Sequence, residues 1–406
     1  MAKRVLIVGG SFGGLRTAYA LRKQLEPREV EVTLISKEPR FTFIPSLPWV
    51  AMGRRRLQDI SFELAPVLAR RQIRFAHETA TGFELERHLV RTDAREHEYD
   101  FLLIATGHRS ANEAVPGLGP FAGPGHCLMS PPEAEELRGA LERFLQRPGP
   151  MVVGCAPGAS CIGPAYEFVL EVDHLLRRRA SRSRVPITFV TPEPYLGHMG
   201  MGGAGKIRQF LEGEFEERDI RYRTSTAITE ITAEAVSVAG GAAIESQLSL
   251  IIPPLAGVEA VAATSGLANP KGFVPVDERY RHPAHPDVYA VGVAVALAPV
   301  EETPVPVNFP KTGHMTEQMA TIAASDIAAR IRCNTVAGES HALAARCIMD
   351  MGSRGAYFNV DPVRPPREQI PTLRDGPHWL WAKRAFERIY LWNARHGRAV
   401  PTTLGW

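Results

Sequence analysis

The stretch RVLIVGGSFGGLRTAYAL at residues 4–21 decides how this chain begins to fold. Residues 4–8 are a short apolar, β-branched run, which predicts a buried strand. GGSFGG at residues 9–14 admits only a tight turn, and Leu15, Ala18, Tyr19 and Leu21 then recur at helical spacing. EVTLIS at residues 31–36 reads as a second strand, completing a strand, turn, helix, strand unit. The turn aligns as Gly9-x-Ser11-x-x-Gly14, with Ser11 where a dinucleotide fingerprint carries its middle glycine. Glycine at that place lets the backbone approach a pyrophosphate at the helix N-terminus, and Ser is the smallest polar replacement. Gly9, Gly10, Ser11, Phe12, Gly13 and Gly14 are therefore candidate cofactor residues. The acidic ribose ligand usual at the end of the second strand gives way to Ser36 and Lys37, so phosphate contact is the firmer expectation.

Two later blocks extend the pattern. YDFLLIATG at residues 99–107 is a buried strand running into Thr106 and Gly107, and VYAVGVAVAL from residue 288 is another with Gly292 and Val293 at its centre. Between them PMVVGCAPGASCIGPAYEFVLEV, from Pro150, repeats the strand-turn-helix plan and pairs with the strand PITFVT at residues 186–191. Its turn, Gly154 to Gly163, holds Pro157, which removes an amide donor, and Cys161 at the start of the helix. A second nucleotide site is expected to be abandoned here in favour of cysteine chemistry. Helix-start amides are expected to favour a thiolate at Cys161. The predicted fold is α/β with two Rossmann-like units. The first is discontinuous, over residues 1–110 and 272–330; the second covers 111–271; a segment at 331–372 and a helical tail at 373–406 follow.

The chain has 406 residues, 45% hydrophobic and 22% charged, enough for a sizeable core and too ordered in composition for disorder or fibres. Its 47 basic and 44 acidic residues nearly balance, which argues against nucleic-acid binding. The excess sits in the tail: from Gly376 onward Lys383, Arg384, Arg388, Arg395 and Arg398 face Glu387 alone. As a helix, residues 379–395 put Arg384, Arg388 and Arg395 in one stripe, with Trp379, Trp381, Phe386, Ile389, Tyr390 and Trp392 opposite. Such a helix suits the plane of a membrane interface. The start, MAKRVLIVGG, breaks at Gly9 and is read as a strand and not as a signal peptide. No segment reaches the roughly 20 apolar residues of a membrane span. Five cysteines, with no C-x-x-C, indicate neither a disulfide framework nor a metal site.

In that order the nucleotide-type blocks resemble the two-dinucleotide-domain flavoprotein disulfide reductases. More specifically, GHCLMSPPEAEEL, PGASCIGPAYEF, EPYLGHMG, PVEETPVPVNFPKTGHMTE, ARCIMDMGSRGAYF and WAKRAFERIYLW resemble the bacterial sulfide:quinone oxidoreductases over nearly the whole chain. The resemblance implies bound FAD, with Thr42, Lys311 and Gly313 joining the cofactor residues above. It implies Cys161 and Cys347 as the redox pair flanking the flavin, with Cys127 as a third sulfur-handling cysteine. Hydrosulfide is a soft nucleophile suited to attacking a sulfur bridge and leaving a persulfide, after which a thiolate passes two electrons on. Cys347 is read as the flavin-side cysteine and Cys161 as its persulfide partner, although the sequence does not fix which forms the flavin bond. His198 matches the family's proton-transferring histidine, and Glu167 is a further relay candidate. A histidine usual a few residues after the third cysteine is missing, because Cys127 is followed by Leu128, Met129, Ser130, Pro131 and Pro132. Cys155 and Cys333 are read as structural.

The resemblance also implies a quinone site built from Phe41, Phe43, Pro45, Gly313, Lys383 and Phe386, with peripheral attachment to the cytoplasmic membrane and assembly into homo-oligomers left open. Three other readings stand beside it: a type II-like NADH:quinone oxidoreductase, the flavoprotein of a flavocytochrome c sulfide dehydrogenase, and a non-enzymatic flavin redox sensor. The first needs an intact second glycine motif, the second lacks such a tail, and the third leaves the cysteine pair without a purpose.

Overall fold

The computed structural model describes residues 2–398 apart from positions 120, 122, 204, 335–341 and 368. The opening strand β1 (Lys3–Val8) carries its apolar run into the centre of a parallel sheet. Helix α1 (Phe12–Gln24) follows after a three-residue turn. On one side β1 pairs with β2 (Val30–Ser36), Val5 opposite Val32, and β3 (Arg74–His77) lies beyond. On the other side it pairs with β4 (Phe101–Ile104), Val5 opposite Phe101. Strands flanked on both sides must be apolar on both faces, which is why these segments read as continuous hydrophobic runs. The turn between β1 and α1 is backbone-tight: Gly9 has φ +118°, and a Cβ there would lie 2.1 Å from the Ala105 carbonyl oxygen. A short helix, α2 (Leu47–Ala51), buries Trp49 beside this sheet.

A second parallel sheet repeats the plan. Its strands, β5 (Met151–Cys155), β6 (Ile187–Val190), β7 (Ile220–Arg223) and β8 (Leu248–Ile252), run in the order β7-β6-β5-β8. Helix α3 (Gly163–Arg178) leaves the turn after β5, and α4 (Ile207–Glu217) precedes β7. Asp173 of α3 is fully buried and holds Arg177, Arg182 and Arg218 at 2.9, 2.6 and 3.0 Å, clamping the helix to the loops below it. The chain then returns to the first sheet, where β9 (Val288–Ala290) pairs in parallel with β4 and gives the order β9-β4-β1-β2-β3. Helix α5 (Gly313–Ile331) packs across α1.

The last part is a three-stranded antiparallel sheet, β10 (Ala345–Asp350), β11 (Gly355–Val360) and β12 (Thr372–Gly376), with Cys347 opposite Phe358. Helix α6 (Pro377–Arg395) leaves it. The amphipathic division read from the sequence changes here. The buried stripe is Lys383, Glu387, Tyr390, Leu391 and Ala394, while Trp381 (70% exposed), Trp392 (50%) and Ile389 (46%) face outward with Arg384 and Arg388. Buried partners explain the difference: Glu387 accepts from Ser46 Oγ and pairs with Arg55 at 2.9 Å, and Tyr390 donates to Glu317 at 2.7 Å. The Ala394 carbonyl accepts from Tyr19 at 2.8 Å. Residues 399–406 of the expected tail lie outside the described ones. Among the described residues no helix is long and apolar enough to cross a membrane.

Two glycines test this packing. A Cβ at Gly154 in β5 would lie 2.0 Å from the Val190 carbonyl oxygen, whereas exposed Gly213 in α4 has nothing within 4 Å. Gly154→Ala should cost about 1–3 kcal/mol through forced overpacking, and Gly213→Ala should gain about 0.5–1 kcal/mol through helix propensity. Thermal melts of the two variants, moving in opposite directions, check the assignment.

Candidate active site

At the start of α1 the Ser11 side chain makes no capping hydrogen bond, so the first helical amides point out of the turn with their partial positive charge. Gly10 abuts Ser36, whose Oγ would stand 2.8 Å from a Cβ, and Ser36 in turn accepts from the Glu38 amide at 3.3 Å. Lys37 and Glu38 are both exposed just past the end of β2. Across the sheet Thr106 Oγ1 is buried without a hydrogen-bond partner among the described residues, and Gly107 is left-handed at φ +73°. Gly292 is left-handed too, and the Val293 carbonyl accepts from Lys311 Nζ at 3.1 Å. Burial, reinforced by Lys271, lowers the Lys311 ammonium to about 7, so an anionic group bound beside it would restore its charge. Thr42 is held at 3.0 Å by Ser61, and Gly313 opens α5 behind a Thr312 cap. Uncapped helix-start amides, an orphaned hydroxyl and a lysine with a lowered pKa make a cradle that fits an extended phosphate-bearing cofactor.

The equivalent turn after β5 is closed. The Gly158 amide donates to the Pro306 carbonyl at 2.6 Å, Asn308 Nδ2 donates to the Gly158 carbonyl at 2.6 Å, and the Asn308 amide donates to Ala159 at 3.0 Å. The strap at residues 306–308 thus takes the Gly158 amide, a donor that a second pyrophosphate would need, and lies across the turn.

Cys161 stands two residues before α3, and Cys347 lies within β10. The structure brings them close enough that Cys161 adds to the electrostatic environment of Cys347. Cys347 touches open space, yet protein surrounds it densely, which places it on the wall of a deep cleft. Burial raises Cys161 to about 11, so the expected thiolate-favouring shift at the helix start is overturned: α3 begins at Gly163, and desolvation outweighs its dipole. Cys347 is raised to about 12, first by burial and opposed by the Lys383 ammonium. Cys127 is not brought to this pair. It is fully buried in a separate small core with Val115, Leu118 and Val152, and its thiol donates to Asn112 at 3.5 Å. Cys155 is fully buried, and Cys333 is exposed just past α5 with φ +57°, so the second is no core residue.

His198 is 2% exposed; its Nε2 lies 2.9 Å from Glu301, and its Nδ1 accepts from the Gly200 amide at 3.2 Å. Its loop rests on fully buried Glu193, which accepts from Tyr166, Thr191 and the Met199 amide, each at 2.7 Å. Glu167 forms a buried ion pair with Lys383, reaching from α3 to α6. Burial disfavours both charges. The Lys383 ammonium is nevertheless held above its usual range because Glu167 and Asp350 face it.

Phe41, Phe43 and Phe386 converge, joined by two rings whose place here the sequence did not reveal. Tyr390 stands 5.0 Å from Phe43, 5.9 Å from Phe41 and 6.0 Å from Phe386, and Phe12 is 5.1 Å from Phe41. Phe41 is fully buried, so an incoming ring meets only the cage mouth, where Phe386 is half-buried and Ile44, beside Pro45, is 38% exposed. Behind the cage Glu317 is buried and raised to about 7 by desolvation, with Arg16 opposing. The signal for Tyr390 was its position one helical turn after Phe386. Nothing in the sequence set Glu317 apart.

A two-sheet frame with one open cradle and a pair of neighbouring thiols defines a class. The family model described as pyridine nucleotide-disulphide oxidoreductase matches residues 3–324. The sulfide-quinone reductase of Aquifex aeolicus is 38% identical over 99% of this chain and 93% of its own. The X-ray structure of the sulfide:quinone oxidoreductase from that bacterium superposes with a TM-score of 0.94 at 37% identity, covering 99% of this chain and 94% of the other. A type II NADH:quinone oxidoreductase of Staphylococcus saprophyticus is 28% identical over only 30% of each chain. The chain belongs to the pyridine nucleotide-disulphide oxidoreductase family, in its sulfide-quinone reductase branch. FAD is the cofactor of this family, and the cradle at α1 fits it.

The charge beside Cys347 is testable. In Lys383→Met the cation that favours its thiolate is gone, so the thiol should titrate higher still. At fixed alkaline pH its alkylation by iodoacetamide should slow several-fold, one pKa unit being about tenfold in thiolate. The unpaired Glu167 should also lower the melting temperature.

Proposed function

We propose that this enzyme oxidises hydrosulfide at Cys161 and Cys347 and delivers two electrons to a membrane quinone. The observation that carries the reading is the pairing of these two thiols in a cleft whose wall also holds the Lys383–Glu167 ion pair. FAD in the α1 cradle supplies a two-electron acceptor between the sulfur and quinone sides. In its sulfur-bridged form the pair is attacked by hydrosulfide: the bridge breaks, a new S–S bond forms on Cys161, and the electron pair stays on the Cys347 sulfur. Lys383 stabilises the charge left there. His198, fixed by Glu301, is assigned proton transfer on the sulfide side. The closed turn at Gly158 argues against NADH as donor.

On the quinone side we assign the cage mouth formed by Phe43, Phe386 and the Ile44–Ser46 turn, with Lys383 one turn before Phe386 on the inward face of α6. We assign residues 1–110 and 272–330 to the FAD unit, 111–271 to the cysteine-turn unit, 331–372 to the second-cysteine segment and 373–406 to the membrane-facing tail. The outward row of Trp381, Ile389 and Trp392, beside Arg384 and Arg388, suits the surface of the cytoplasmic membrane.

Sulfide should bleach the flavin of the purified holoenzyme, and NADH should not. Cys161→Ser and Cys347→Ser should each abolish sulfide-dependent quinone reduction and keep FAD, while Cys333→Ser should match wild type. Rapid bleaching by NADH, or full turnover in either of the first two variants, would refute the assignment. Because α6 is clamped by buried bonds, deleting it would disturb the core, and surface substitution is the cleaner membrane test. Replacing Trp381, Ile389 and Trp392 together by Ala removes roughly 1.5 kcal/mol or more per side chain buried in the interface. Vesicle co-sedimentation should fall at least about tenfold, with sulfide-driven flavin bleaching preserved.

A further inference from the structure

Beyond Glu167 and Lys383, the same pocket holds a charge count that does not balance. Helix α3 contributes Glu167 and Glu171, one turn apart on its buried face. Strand β10 contributes Asp350, the loop after α2 contributes Arg54, and α6 contributes Lys383. Three carboxylates therefore face two cations. Asp350 is saturated: Trp49 Nε1 and Arg54 each donate to it at 2.9 Å, and the Gly352 amide donates at 2.7 Å. Glu167 takes Lys383. Glu171 is left over. It is fully buried, neither carboxyl oxygen has a hydrogen-bond partner among the described residues, and its nearest cation, Arg54 at 3.5 Å, is already engaged by Asp350.

We infer that Glu171 is protonated at rest and stores a proton that moves to Glu167 when the sulfur bridge opens, freeing Lys383 to face the Cys347 thiolate. The idea rests on the sulfide-oxidising reading above and adds a positioning residue that touches neither substrate nor flavin. The step is a proton transfer only. The O–H bond of Glu171 breaks, an O–H bond forms on Glu167, and Glu171 is left as a carboxylate facing Arg54. No electrons change hands. Once Cys347 has passed its electron pair on, the proton returns to Glu171.

The surroundings favour storage at this residue. Burial, then Asp350 and Glu167, raise Glu171 well above the carboxylate range, against Arg54 and Lys383. His174, one turn further along α3, is lowered by burial and by Arg54, Arg178 and Arg218, so it is neutral and adds no competing charge. Arg54, whose side chain is 30% exposed, marks the side on which the pocket reaches water.

Glu171→Gln keeps the shape and charge of the protonated acid, so the holoenzyme should fold and retain FAD. The wild type should show an alkaline decline in sulfide-driven flavin reduction as the store empties. In Glu171→Gln that decline should vanish, and the plateau should be at least about tenfold lower; Glu171→Asp should restore the decline at a shifted pH. In sulfide-free holoenzyme, infrared spectroscopy should show a protonated-carboxyl stretch that Glu171→Gln removes. A wild-type pH profile in Glu171→Gln, or an unchanged carboxyl stretch, overturns the assignment. Failure of sulfide to reduce the wild-type flavin at any pH would instead overturn the parent reading, and the infrared band would still report on Glu171.

Discussion

The ion pair between Lys383 and Glu167 is the contact on which the arrangement of the site depends. It joins the first helix of the second sheet to the last described helix of the chain, and it does so beside Cys347. Two charges buried together are a weak source of stability, because desolvation offsets most of their attraction, but removing one partner is costly. That asymmetry fixes the register of α6: Lys383 must face inward, and Glu387, Tyr390 and Ala394 follow it one, two and three turns along. With those four turned in, Trp381, Ile389 and Trp392 have only the outside left. The outward face is thus a consequence of the polar contacts on the inward one.

Much of the frame was legible because parallel strands buried on both faces leave unbroken apolar runs. RVLIV, FLLI and MVVG could be read without knowing their neighbours, and so could the tight turn after the first of them. The α6 stripe was misjudged for a physical reason. Periodicity ranks Lys and Glu as outward residues, and only partners distant in sequence, such as Glu167 and Ser46, make them cheaper to bury than Trp381 is to cover. The thiol environment was misjudged similarly. A helix start suggests a favoured thiolate, yet α3 begins two residues late and the protein packed around Cys161 raises it instead. Phe41, Phe43 and Phe386 were legible as a set; Tyr390 and Phe12 needed the fold to bring them to the same cage.

The two nucleotide-type turns show how one scaffold takes two fates. Both follow a central parallel strand, and both are pinned by a glycine pressed against a neighbouring carbonyl, Gly9 on Ala105 and Gly154 on Val190. The first leaves its amides unspent. In the second, the Pro306 carbonyl takes the Gly158 amide and Asn308 holds the Gly158 and Ala159 carbonyls, and Cys161 stands just before the helix. Substituting a strap for a ligand turns a binding site into a rigid mount for a reactive sulfur.

Helix α6 is only about 10–12 Å across with its side chains, and it has sulfur chemistry against one side and a row of Trp and Ile on the other. The two reactants come from different phases: a small anion dissolved in water and a greasy carrier confined to lipid. One helix thickness separates the two surroundings, because the inward face of α6 carries Lys383 and its outward face carries Trp381, Ile389 and Trp392. The protein therefore works as a phase boundary in its own right, with selectivity set by which side a molecule can physically reach.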